Sequence, residues 1–226
     1  MKKDIGNVAF VVQARLNSQR LNRKMVKSFD DSCLFEILLE KIAKSSLIPD
    51  KNVYLSIYEE ELKDIARNFN FNIFERSFES ANEDNDIKVI YEWWDKIPQE
   101  YVILISACNP LLKIDTVENF TQDFLESEDH GSFAVFEKKT YFWNSKGKPI
   151  TDWNNSKIMN TKVVEPVYEA GHCLYASKLA FLSQGFWMDN KVPPSPRLFV
   201  VDEIECFDID YEWQFNVAEK LYRIQK

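Results

Sequence analysis

Cysteine and histidine are too few and too scattered in this 226-residue chain to supply a zinc site. Cys33, Cys108, Cys173 and Cys206 form no C-x-x-C pair, and His130 and His172 are the only histidines. The thiols read as buried and free, because a disulfide framework does not suit a chain of this size without a secretion signal. Long apolar runs are absent too. None approaches the roughly 18–20 residues of a membrane span, and no small-residue cleavage site follows the first run, at residues 8–12. The chain therefore reads as cytoplasmic. Cations are outnumbered, 28 Lys+Arg against 36 Asp+Glu, which disfavours a nucleic-acid coat or a polybasic membrane clamp. There is no Gly-rich run with G-K-[ST], hence no P-loop. Internal repeats and low-complexity segments are lacking as well. Any metal must be held by carboxylates.

What is present is core material: 45% hydrophobic and 14% aromatic residues, enough to exclude wholesale disorder. The length suits a single domain spanning residues 1–226. Strand patterns at 8–12, 52–57, 72–74, 101–106, 132–136, 172–176 and 198–201 alternate with helical ones in the first half of the chain. The helical patterns include 59–69, a helix through Val89, Ile90, Trp93 and Trp94 to Ile97, and one reaching Leu125. Asp115 with Glu118 three residues later reads as the cap of that last helix. A final helix starts at Tyr211, with Trp213, Val217 and Leu221 read as its core face. The alternation predicts an α/β fold, a mostly parallel sheet with helices on both faces and a ligand site beyond the carboxyl ends of the strands. Residues 138–168 interrupt it as an aromatic-rich hairpin or arm, packed on its own domain or on a partner subunit.

Two segments can carry chemistry. Four cations, Arg15, Arg20, Arg23 and Lys24, stand in the ten positions after Ala14, directly behind the first strand. Such a loop can hold a triphosphate, or it is solvated surface. Near the other end, Asp208 and Asp210 stand two apart, on one side of an extended chain. They can share a hard cation such as Mg²⁺, or Asp210 caps the last helix.

Together these pieces resemble the acylneuraminate cytidylyltransferase family, which includes CMP-sialic acid and CMP-Kdo synthetases. Ala14-Arg15-Leu16-Asn17-Ser18-Gln19-Arg20, followed by Lys24, is similar to that family's first loop. Asn109-Pro110-Leu111-Leu112 is similar to its S-P-L-R turn, Leu174-Tyr175 to its late strand, and Phe207-Asp208-Ile209-Asp210 to its I-D-I-D segment.

The resemblance implies a Rossmann-like nucleotidyltransferase fold and Mg²⁺-dependent transfer of CMP from CTP to an acidic sugar, with release of pyrophosphate, for surface glycan synthesis. It implies a homodimer paired through the arm. Arg15, Ser18 and Lys24, with Ala14, would hold the nucleotide phosphates, Arg76 would contact the nucleotide, and Asp208 and Asp210 would hold the metal. Arg15, Lys24 and Asp210 would be the catalytic residues. Ser106, Asn109, Glu169 and His172 would face the acceptor. The departures fall mainly on that acceptor side. Leu112 stands where the family has Arg, Met25 follows the loop lysine in place of Asn, and Glu169 replaces an Arg suited to a carboxylate. If Glu169 points inward, N-acetylneuraminate should be a poor substrate. A phosphorylated or phosphonate acceptor, met by Lys113, Lys138 or Lys139, is one alternative. A non-catalytic nucleotide-binding homologue is another, and His172 has a purely structural reading beside its acceptor one.

Overall fold

The alternating pattern is realised as a seven-stranded sheet in the computed structural model, which describes residues 3–82, 86–151, 160–182 and 196–226. The strands are β1 (Val8–Gln13), β4 (Val53–Ile57), β5 (Asn72–Glu75), β6 (Tyr101–Ile105), β7 (Gly131–Lys138), β8 (Val167–Lys178) and β9 (Arg197–Val200). β2 (Ser28–Phe29) and β3 (Ser32–Cys33) form a separate small hairpin. The sheet order is β5-β4-β1-β6-β8-β7-β9. Only β8 runs against its neighbours β6 and β7, so the sheet is mostly parallel. The chain moves from β1 outward to β4 and β5, then returns on the other side to β6. The carboxyl ends of β1 and β6 therefore flank a switch point, where a parallel sheet opens a crevice.

Alternation along β1 sends its side chains to two cores. Val8, Phe10 and Val12 join the larger one, beneath α1 (Leu34–Ala43), α2 (Glu60–Ala66), α5 (Ile114–Glu126) and α7 (Glu212–Gln225). Ala9 and Val11 join the smaller one, with Trp93 and with Leu179 and Leu182 of α6 (Leu179–Leu182). The expected helices on both faces are thus present. The helix expected through Ile97 is shorter: α4 (Ile87–Ile90) ends in turns, with α3 (Phe78–Asn82) ahead of it. Those turns let Trp93 bury completely and donate its indole N–H to Gln13 Oε1 at 2.9 Å.

Two other expectations change. Asp115 is not the cap of α5: Lys113 holds that position, and Glu118 instead accepts from Ser45 Oγ and Ser46 N–H in the turn after α1. Trp213 and Val217 do not face the core. Phe215 and Ala218 do, while Trp213 is 61% exposed. The last helix has apolar residues on two faces, and the sheet took the one led by Phe215. The arm begins as the expected hairpin, with Ile150 N–H bonded to the Phe142 carbonyl and a turn at Gly147, φ 73°. Its remainder, including Trp153, and the Pro193–Pro194 part of the late loop lie outside the described residues.

Candidate active site

The first loop closes on itself at once. Ser18 and Arg23 N–H groups both donate to the Leu16 carbonyl, at 2.9 and 2.8 Å, and Arg23 adopts a left-handed φ of 58°. Leu16 N–H donates to Glu59 Oε1 at 2.8 Å, tying the loop to the start of α2. Leu16, Leu21 and Met25 are buried, so these three apolar positions anchor the loop in the core and leave polar ones to the cleft. Met25 gives up a polar group and gains an anchor.

Lys24 is buried, and its ammonium donates to the Ile209 carbonyl and stands 3.5 Å from Asp210 Oδ1. Arg20 reaches Asp210 Oδ2 at 2.6 Å. The first loop and the Asp208–Asp210 segment, at opposite ends of the sequence, are thus one assembly. Asp210 is not the cap of α7. That position belongs to Tyr211, and Gln214 Oε1 accepts the N–H groups of both Asp210 and Tyr211 at 2.8 Å.

Ile209 is fully buried, so the strand-like alternation turns Asp208 and Asp210 into the same cleft. Asp208 Oδ1 is buried without a hydrogen-bond partner. Burial first, then the neighbouring Asp210, raise the Asp208 carboxyl above the ordinary range, while Lys24, His172 and Arg20 oppose the rise. An orphaned buried carboxylate oxygen beside a second carboxylate is a donor set that fits a hard divalent cation, with coordination positions left for phosphate oxygens and water. No cluster of three or more metal-ligating side chains occurs among the described residues, so such a cation would depend on those outside ligands.

The cleft, about 340 Å³, is lined by Ala14, Arg15, Ser18, Lys24, Arg76, Ser106, His172, Asp208 and Asp210 among others. Arg76 is the most tightly held of them. Its guanidinium donates to Ser80 Oγ at 3.1 Å and to the carbonyls of Ala14, Ser80 and Ile90. Burial, then the nearby Arg15, lower its pKa to about 10, so it stays cationic at neutral pH. It braces the Ala14 carbonyl against α3 and α4 while presenting charge to the cleft.

The opposite wall comes from the end of β6 and from β8. Two residue steps of β7, Phe133 to Val135, face five of β8, Tyr175 to Ala170. This bulge gives His172 a φ of 53°, and its Nδ1 lies 2.6 Å from the Tyr175 hydroxyl. Ser106 N–H bonds the Cys173 carbonyl at 2.9 Å, fixing the bulge to the turn after β6. Burial raises the Tyr175 and Tyr91 phenols, which stay protonated donors.

Two of the expected acceptor-side residues are not brought in. Glu169 is exposed on β8 opposite Phe136 and does not line the cleft, so the premise for excluding N-acetylneuraminate is removed. The bulge shifts the strand's alternation, and His172, an exposed residue, lines the cleft as expected, with Ser106. Asn109 is buried beneath the turn after β6, outside the cleft lining, with neither amide atom hydrogen-bonded. Sequence reasoning missed Arg20, Ser80, Tyr91, Cys108 and Tyr175 as cleft residues. Arg20 was detectable as one of the four loop cations. Tyr175 stood in the Leu174-Tyr175 landmark, Cys108 just beyond a strand end, and Ser80 and Tyr91, in and after short helices, gave no signal.

Comparisons place this geometry among known proteins. An uncharacterized protein of Methanocaldococcus jannaschii, MJ1063, is 26% identical over 119 residues, 52% of this chain, and the match spans about half, 47%, of that protein. A 3-deoxy-manno-octulosonate cytidylyltransferase of Francisella philomiragia is 22% identical over 187 residues, covering 82% of this chain and 69% of its own length. The structure of CMP:2-keto-3-deoxy-manno-octonic acid synthetase complexed with CTP superposes with a TM-score of 0.69 at 11% identity, over 97% of this chain and all of that one, which shows the shared fold. The family model for cytidylyltransferase matches residues 9–181, from the first strand through the whole of β8. Because that stretch carries both walls of the cleft apart from the aspartate segment, the chain belongs to the cytidylyltransferase family.

Proposed function

We propose that this protein transfers CMP from CTP to a hydroxyl of an acidic sugar of the 3-deoxy-2-keto class, releasing pyrophosphate, for surface glycan synthesis. The observation that supports it most is the convergence of Arg15, Ser18, Arg20 and Lys24 with Asp208 and Asp210 in one cleft at the β1/β6 switch point. Loop cations and amides would take the phosphates as negative charge moves onto the leaving pyrophosphate. Arg76, which braces the loop's first carbonyl, would keep those donors aimed. Asp208 and Asp210 would hold Mg²⁺, which when bound neutralises phosphate charge and lowers the acceptor hydroxyl's pKa. Arg20 and Lys24 neutralise Asp210. They would turn from the carboxylate to the phosphates when CTP and the metal arrive.

His172, Tyr175 and Ser106 would hydrogen-bond the acceptor. The version with a phosphorylated or phosphonate acceptor has less support. Lys113, Lys138 and Lys139 stand outside the cleft, in ion pairs with Glu205, Glu203 and Glu137. Pairing of two copies through the arm belongs to the same reading. The test is pyrophosphate release from CTP and Mg²⁺ with a panel of 3-deoxy-2-keto sugar acids, the product identified by mass. CMP-sugar formation with one of them is expected. No transfer with any acceptor, despite CTP binding, would favour the non-catalytic homologue.

A further inference from the structure

The cleft's two walls are joined from behind by a pair of thiols that the proposed chemistry does not use. Cys173, in the β8 bulge, and Cys206, in the short helical turn Glu203–Cys206, are both buried, with their sulfurs 3.9 Å apart. Cys173 directly follows His172 and Cys206 lies two residues before Asp208, so each thiol adjoins a cleft residue on a different wall. Gly171 makes the approach possible. A Cβ there would stand 2.6 Å from the Cys206 sulfur and 3.2 Å from the Ala134 carbonyl, so the sulfur rests against bare backbone.

We propose that Cys173 and Cys206 form a reversible disulfide that switches the cleft off under oxidation. This regulation rests on the proposed function of the same cleft. A disulfide needs its sulfurs about 2.05 Å apart, so the pair must close by nearly 2 Å. The bulge is the compliant side, because β8 there is out of register with β7 and His172 already has a left-handed backbone. Closing would draw His172 and the Asp208–Asp210 segment together behind the site. With hydrogen peroxide as oxidant the step balances. One thiol attacks a peroxide oxygen, giving a sulfenic acid and water. The second thiol then attacks that sulfur, expelling a second water and leaving the S–S bond. Cys206, 7% exposed against 0% for Cys173, is the thiol peroxide reaches first. A dithiol reductant reverses the bond by exchange. A disulfide of this kind in a protein without a disulfide framework fits redox sensing rather than structural stapling.

The experiment treats the whole protein with peroxide, then maps it by peptide mass and counts free thiols. The expected result is a Cys173–Cys206 cross-link, a fall from four free thiols to two, and at least a tenfold loss of cytidylyl transfer, restored by dithiothreitol. Cys173→Ser and Cys206→Ser should keep the activity of the reduced protein and resist this reversible loss. Absence of that cross-link after oxidation, or full activity in the cross-linked protein, would overturn the proposal. Mapping is done on the unmodified chain, so poor folding of a variant cannot obscure it. A reduced protein inactive with every acceptor would count against the proposed function, while the mapped bond still decides whether the thiols pair.

Discussion

The two walls of the cleft are built in different ways. The loop wall is local: ten residues behind one strand supply its cations, and their own backbone bonds to Leu16 shape it. The opposite wall is assembled across the sheet, from a bulge in β8, the turn after β6 and a tyrosine beyond α4. Charge dominates the first and hydroxyl and aromatic groups the second. Under the proposed function, nucleotide chemistry would sit in a contiguous segment and acceptor recognition would rest on contacts set by register. Register can drift without disturbing the loop.

The largest effect should come from the residue that ties the cation loop to the aspartate segment. Asp210→Asn is expected to cut turnover at least 1,000-fold, from loss of a metal ligand and of the partner of Arg20 and Lys24. Since Asp210 is not the helix cap, the variant should remain folded, and circular dichroism with steady-state kinetics checks both. Asp208→Asn should also be inactive, yet melt higher than the unmodified chain at neutral pH. A carboxyl whose pKa is raised in the folded state is destabilising once pH exceeds its unfolded value and neutral in effect below it. A melting temperature that falls would show that Asp208 is a structural carboxylate.

On the loop wall, Arg15→Ala should weaken use of CTP by about 100-fold, in the range of a lost phosphate contact, with the acceptor KM little changed. Equal damage to both substrates would mean that the walls are not separable. On the opposite wall the smallest change should be the most selective. Tyr175→Phe removes only the hydroxyl at 2.6 Å from His172 and should raise the acceptor KM several-fold, about 1 kcal/mol for one hydrogen bond. The CTP KM should stay the same. A CTP defect in this variant would place the nucleotide, not the acceptor, against β8.

Legibility in the sequence follows the same division. The strands and the cation loop could be read because short apolar runs and charge clusters are local signals. The pair Asp208 and Asp210 could be read as facing one side, because alternation around the buried Ile209 is local too. Glu169 was misplaced because one bulge, invisible in composition, follows it in β8 and puts it out of step with the cleft-lining His172 and Tyr175. Trp213 and Val217 were misassigned because α7 has two apolar stripes, and helical spacing cannot say which one meets the core. The cap reading of Asp210 failed for a related reason: Gln214 takes the end N–H groups, and two distant cations take the carboxylate.

By itself the sequence determined that this is an α/β chain with a cationic loop behind its first strand and a carboxylate pair before its last helix. Each of those facts is written in residues within a few positions of one another. The tertiary structure alone decided that Lys24 bonds the Ile209 carbonyl, that Asp208 is left with an unpartnered oxygen, that His172 rather than Glu169 enters the cleft, and that two cysteine sulfurs meet behind it. Those outcomes depend on strand order and on a register shift between β7 and β8. Pairing across a sheet brings together residues whose separation in the chain carries no trace of their distance in space.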